Sequence, residues 1–258
     1  SPANLMRLIG TPQCPTIIDV CIDPDFAEDP FLIPTAFRHA HRDITALVPK
    51  LTGRSCVVVC QKGMKLSHGA AARLRASGIA AQVLSGGNFG WREAGLPRVP
   101  ADAVPGSLWV TRHRPKIDRI ACPWLIRRFV DPSAEFLFVP PSEVAGVAER
   151  FGATPFDIEG GTWSHEGERC TFDKMVSAFG LSHPALDALA TVVRAADTKK
   201  HTLAPEAAGL LAVSVGLSRM FRDDVIQLDA GMLIYDALYR WARDGQSEGH
   251  DWPAGAGQ

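Results

Sequence analysis

Val57-Val58-Val59-Cys60-Gln61-Lys62-Gly63-Met64-Lys65-Leu66-Ser67 decides how the first half of this chain is read. Three β-branched residues run into a cysteine, a short loop with one glycine follows, and an alanine-rich segment occupies residues 69–77. This pattern predicts a buried strand over Ser55 to Val59, a turn, and then a helix closed by Gly78 as its C′ residue. A cysteine at such a turn has two readings. One is an inert, buried thiol, the ordinary state of free cysteine. The other is a nucleophile. The unpaired N–H groups and partial positive charge of a helix N-terminus stabilise a thiolate, and Lys62 and Lys65 add charge close by.

Working outward, residues 16–21 and 81–84 read as further short strands. Strand, helix and strand in this order predict a parallel βαβ unit with a right-handed crossover. That topology puts the Cys60 loop at the carboxyl end of its strand, where α/β proteins bind ligands. Residues 24–34 read as a loop, and a short helix ends near Lys50. His39 and His41 are two apart and share no helix face, so they are expected in solvent rather than on a metal. Trp91 is expected in the core or at its rim. Residues 97–105 contain three prolines and read as a linker.

Beside the Cys60 loop stand Ile17-Ile18-Asp19-Val20, Ile33-Pro34 with Ala36, and Leu84-Ser85-Gly86-Gly87-Asn88-Phe89-Gly90-Trp91. In order and spacing these resemble the rhodanese family, over about the first 97 residues. The resemblance implies an α/β domain with a parallel sheet and flanking helices. It implies that Cys60 carries a persulfide, and that Gln61, Lys62, Gly63, Met64 and Lys65 form a substrate-binding loop whose backbone N–H groups converge on the sulfur. It further implies a sulfur donor such as thiosulfate or a persulfide, a thiol acceptor, and no cofactor for that step. Three positions depart from the family pattern: Cys21 and Lys65 where arginine is usual or frequent, and Leu66 where serine is frequent. These departures bear on donor specificity and rate.

The whole chain has 258 residues, enough for one large or two ordinary domains. Its net charge of −1 gives no bulk pull toward nucleic acid or membrane, and neither partner is expected. Six cysteines without regular spacing or a CxxC pair argue against a disulfide scaffold and for a reducing cytoplasm. The longest uncharged apolar run, residues 207–218, is too short to span a bilayer. No signal-peptide pattern opens the chain, although a start at Ser1 leaves a processed leader open. No oligomeric state follows from the sequence.

The second half predicts strands at 108–112 and 135–139, and a helix at 116–129 that Pro123 should kink or deprive of one bond. Short extended pieces at 154–158 and 162–164 flank Gly160-Gly161. Helices follow at 171–179, 184–197 (capped by Ser182, with Pro184 at N1), 205–221 and 223–243. This is an α+β, mostly helical domain. The expected division is therefore 1–98, a linker at 99–106, 107–245, and a flexible tail at 246–258. The run Arg112-His113-Arg114-Pro115-Lys116-Ile117-Asp118-Arg119-Ile120-Ala121-Cys122-Pro123-Trp124-Leu125-Ile126-Arg127-Arg128-Phe129 is similar to the chromate-resistance family, found in chromate-responsive regulatory proteins. Residues 153–158, 165–172 and 217–221 support the likeness, which covers roughly 107–243.

Two chemistries are open to this half. Asp118 and Cys122 share a helix face, and His165 and Cys170 flank a turn through Gly167. With Asp173 and Asp197 they form a mixed N, O and S set that suits Zn²⁺ or Fe²⁺. No compact signature such as HExxH is present, and the plain alternative is packing for the cysteines, surface for His165 and helix-end charge for Asp173. Arg112, Arg114, Lys116 and Arg119, with Arg127, would bind an oxyanion such as chromate or sulfate. Their plain alternative is a solvated basic helix face. His183, before Pro184, is expected to be structural, and Arg219, Asp223 and Asp236 to form interhelix ion pairs. The functional expectation is a sulfurtransferase acting through Cys60, coupled to a metal- or oxyanion-binding domain. The alternatives are a chromate- or metal-responsive regulatory protein and a metal-dependent redox-stress enzyme, each with a non-catalytic first module.

Overall fold

The computed structural model describes residues 1–249, and residues 250–258 of the expected tail lie outside the described residues. The first half is built on β1 (Thr16–Asp19), β3 (Phe37–Arg38), β4 (Ser55–Val59) and β5 (Ala80–Val83), in the order β3-β1-β4-β5 with every pairing parallel. A parallel sheet must be covered on both faces, and β4 shows how the sequence does this. Cys56, Val58 and Cys60 join one buried cluster with Ala70, Ala71 and Leu74. Val57 and Val59 alternate into another cluster with Trp91. The helices here are α1 (Pro2–Met6), α2 (Asp23–Ala27), α3 (Val48–Leu51), α4 (Lys65–Ala76) and α5 (Gly87–Glu93). α4 begins at Lys65, a turn earlier than the alanine-rich segment predicts, and α2 overlaps the start of the expected 24–34 loop.

The expected linker is not a free tether. Val99 is buried, and β6 (Val99–Pro100) pairs antiparallel with β2 (Phe31–Leu32). The Ala101 N–H also donates to the Pro30 carbonyl at 3.0 Å. Proline is tolerated because a two-stranded ribbon leaves one side of each strand without a ladder to donate to.

The second half has a parallel sheet, β8-β7-β9, made of β7 (Leu108–Arg112), β8 (Glu135–Val139) and β9 (Thr154–Pro155). Around it lie α6 (Asp118–Leu125), α7 (Val144–Phe151), α8 (Thr171–Ala178), α9 (Pro184–Asp197), α10 (Glu206–Met220) and α11 (Asp224–Arg240). Pro123 stays inside α6 and cannot donate to the Arg119 carbonyl. Beyond it the helix widens into a π-turn over Ile126–Val130, where Asp131 N–H reaches the Ile126 carbonyl at 2.8 Å. Two caps differ from expectation. His183, not Ser182, precedes α9, because the Ser182 hydroxyl is bonded to the Asp187 carboxylate. Asp223 caps α11 by accepting from Val225 and Ile226 N–H instead of pairing with a cation. Asp236 does form an ion pair, with Arg128 at 2.8 Å. No helix among the described residues is long and apolar enough to cross a membrane.

The two halves share a core. One continuous buried cluster contains Ile9, Ile17, Val57, Val59 and Trp91 from the first half and Trp109, Trp124, Phe129 and Tyr239 from the second.

Candidate functional site

Two constellations carry chemistry. The first is the Cys60 loop. Cys60 follows β4 at its carboxyl end, and the chain turns through residues 61–64 into the N-terminus of α4. The loop is pressed backbone to backbone against residues 84–88. A Cβ on Gly63 (φ +67°) would lie 2.5 Å from the Leu84 carbonyl oxygen, and one on Gly87 (φ +59°) would overlap the Cys60 carbonyl. Asn88 N–H donates to that same carbonyl at 3.1 Å. Cys60 is buried, with its Sγ 3.2 Å from Ser67 Oγ. Ser67 lies within the first turn of α4 and donates to the Met64 carbonyl at 3.1 Å. Its one hydroxyl proton serves either that carbonyl or the sulfur.

The expected substrate-binding residues divide. The N–H groups of Gln61, Lys62 and Met64 have no acceptor among the described residues. Gly63 N–H is committed to the Cys60 carbonyl at 3.3 Å, so it is not free to face a ligand. The Gln61 side chain donates to Glu28 at 3.1 Å, and Lys62, Met64 and Lys65 are exposed. Ser67 and Asn88 are the contacts that motif reading passed over. Asn88 also holds Asp19 at 2.8 Å and Cys21 Sγ at 3.5 Å.

The second constellation lies at the carboxyl end of the β8-β7-β9 sheet. Arg112 ends β7, Asp157 follows β9, and Asp118 is the first residue of α6. His165 comes from the turn before α8, and Asp197 is the last residue of α9. His165 Nε2 lies 3.1 Å from Asp197 Oδ2 and 3.5 Å from both Asp118 Oδ2 and Asp157 Oδ1. Asp157 and Asp118 have further partners. Asp157 Oδ2 meets Arg112 at 2.9 Å and Arg119 at 3.3 Å, and Asp118 Oδ2 accepts Thr171 N–H at 2.7 Å. Burial pushes the Asp118 carboxyl above the usual range and Asp197 up to about 7. The Asp118 carboxylate facing it pushes His165 up to about 9, against the effect of its partial burial.

Two residues of this site are left-handed without being glycine: Asp157 (φ 50°) and Ile117 (φ 43°), which precedes Asp118. A β-branched residue pays for that conformation. Three bonds from α10 and α11 hold the segment: Ser214 Oγ to Ile117 N–H at 3.1 Å, Tyr235 OH to the Ile117 carbonyl at 3.0 Å, and Gln227 Nε2 to the Pro115 carbonyl at 2.6 Å.

The expected ligand set is thus redrawn. Asp118, His165 and Asp197 meet. Cys122, Cys170 and Asp173 do not join them, because each is used in packing or capping. Cys122 is fully buried, and burial pushes its thiol far up. Cys170 precedes α8, and Asp173 accepts from Cys170 N–H at 3.0 Å and from Arg194 at 2.7 Å. Asp157 was not among the sequence candidates. Its signal was position, directly after a short parallel strand. The expected oxyanion cluster is dispersed as well. Arg112 and Arg119 are spent on Asp157, and Arg114 on the Phe221 and Ser218 carbonyls at the end of α10. Lys116, like the Arg114 guanidinium, has no anionic partner within ion-pair distance among the described residues. Burial and the nearby arginines lower its pKa.

The family model described as "ChrB, C-terminal domain" matches residues 109–242. The chain belongs to this family. Over 150 residues it is 33% identical to Protein ChrB of Cupriavidus metallidurans, a match covering 56% of this chain. It covers 43% of that protein, so the likeness spans less than half of the ChrB relative's length. Two solved structures overlap slightly. One is Rhodopseudomonas palustris RPA3614, described as of unknown function and a possible tyrosine phosphatase. It has TM-score 0.29 and 22% identity, over 31% of this chain and 67% of that one. The other is Staphylococcus saprophyticus SSP1007, with TM-score 0.31 and 21% identity, over 35% of this chain and 88% of that one. Overlaps of that size carry no argument about the ChrB-family chain. The second constellation lies wholly inside the matched residues, and the Cys60 loop lies outside them.

Proposed function

We propose that this ChrB-family chain carries sulfane sulfur on Cys60, as a rhodanese-type sulfurtransferase module joined to its chromate-resistance domain. One observation carries the reading: a cysteine at the end of a central parallel strand, in a loop fixed backbone to backbone at Gly63 and Gly87, with the N–H groups of Gln61, Lys62 and Met64 left without acceptors among the described residues. Such groups, with the N-terminus of a twelve-residue helix, favour an anionic sulfur. The Cys60 thiolate attacks the outer sulfur of thiosulfate. The S–S bond of the donor breaks, sulfite leaves with the electron pair, and a Cys60 persulfide remains. An acceptor thiolate then takes the terminal sulfur and releases the Cys60 thiolate. Ser67 turns its proton from the Met64 carbonyl toward the sulfur when the charge is there.

The test is intact mass after incubation with thiosulfate. Wild type gains about 32 Da, one sulfur, and Cys60→Ser gains nothing. Equal gain in both would overturn the assignment. The ChrB-family match favours a second reading, a chromate- or metal-responsive regulatory protein whose Cys60 module is not catalytic. No gain in wild type with thiosulfate or a small persulfide would select it.

A further inference from the structure

Beyond the Cys60 chemistry, we infer that Asp118, Asp157 and His165, with Asp197 beside them as the partner of His165, form a binding site for one oxygen-preferring divalent cation of the Mn²⁺ type. One ligand atom from each of Asp118, Asp157 and His165 lies within 4.8 Å of the other two. The 3.5 Å separations of His165 Nε2 from Asp118 Oδ2 and Asp157 Oδ1 match the edges of a coordination polyhedron. Ligands about 2.1 Å from a shared ion stand about 3.0 Å apart in an octahedron and about 3.4 Å apart in a tetrahedron.

A protonated histidine alone does not account for this arrangement. Nε2 carries one hydrogen, three carboxylates converge on it, and contacts of 3.5 Å are too long for hydrogen bonds. Asp118 supplies an independent sign. Its side chain is 1% exposed, its Oδ2 faces His165, and its Oδ1 is buried with no partner among the described residues. A buried carboxylate oxygen left unpaired is costly, and a bound cation would supply its partner. Three carboxylates face two guanidinium groups, Arg112 and Arg119, so a bound cation would take the place of the proton on His165. The arginines sit on Asp157 Oδ2 and leave Oδ1 toward the centre, so they act as orienting partners behind a ligand. His165, 42% exposed, is the side from which an ion would enter. Carboxylate oxygens and one imidazole nitrogen, without thiolate, select a hard to borderline ion over a soft one.

The experiment uses the full chain after chelator treatment, titrated with Mn²⁺ and followed by the loss of free Mn²⁺ paramagnetic resonance signal. One Mn²⁺ per chain is expected. His165→Gln and Asp197→Asn should each weaken binding about 100-fold, and Cys122→Ser should leave it unchanged. Because Asp118 is buried and its variants risk misfolding, the second readout is the Co²⁺ spectrum of wild type. Weak ligand-field bands without a thiolate charge-transfer band support the site. Absence of Mn²⁺ binding by wild type, undiminished binding by His165→Gln and Asp197→Asn, or a thiolate band would each overturn it.

Discussion

His183 shows how one side chain couples the sequence to the behaviour of the folded chain. Its ring is wedged before α9, with Nδ1 2.8 Å from the Leu181 carbonyl and Nε2 3.1 Å from Tyr239 OH. Burial lowers its pKa below the ordinary 6.5, so the fold prefers the neutral ring. Below pH 6.5 the unfolded chain binds a proton at this residue that the folded chain resists. The stability it contributes is complete above 6.5 and is lost as pH falls from there through the depressed folded value. Urea midpoints across this range should fall more steeply for wild type than for His183→Gln. Parallel curves would remove His183 from the account. The reading of His183 as structural needed only Pro184 after it. Asp157 could not be read in the same way. Its role rests on Arg112, 45 positions away in the chain, and on a left-handed backbone that no local pattern announces.

At the scale of elements, the legible ones carry their own reasons. β4, β7 and β8 are runs of β-branched and aromatic residues, and α9 opens on proline, so their ends match the sequence reading. The two-residue strands β2 and β6 were hidden because neighbours in space, not their own residues, hold them in register. The start of α4 was hidden for a related reason. Lys65 and Leu66 are unremarkable helix residues, and the fixed turn at Gly63 launches the helix there. Two glycines near this element should therefore respond in opposite directions. Gly63→Ala forces a Cβ to 2.5 Å from the Leu84 carbonyl at positive φ, and should cost about 1–3 kcal/mol. Gly69→Ala, inside α4 with open space around it, should gain about 0.5–1 kcal/mol. Urea unfolding of both variants measures this. A neutral Gly63→Ala would mean that the loop can move away from Leu84, and would weaken the case for a fixed cradle.

At the scale of the molecule, two family resemblances suggest two independent units, and the packing argues for one. The first half reaches the second at two backbone carbonyls: Arg243 donates to the Arg7 carbonyl at 2.8 Å, and Thr35 N–H donates to the Phe129 carbonyl at 2.9 Å. Gly10 has φ +79°, and any Cβ there would overlap the Phe129 ring and lie 2.6 Å from Tyr239. Both rings belong to the aromatic group around Trp124, deep in the ChrB-family half. A methyl group added to the first half is thus felt in the core of the second. Calorimetry should show one transition for wild type, with calorimetric and van't Hoff enthalpies in agreement. Gly10→Ala should lower that single transition as a whole, by about 1–3 kcal/mol in stability, since overpacking at positive φ has no local relief. If the halves were independent, the variant would split the trace, leaving the part that contains β4 and Cys60 at its original temperature.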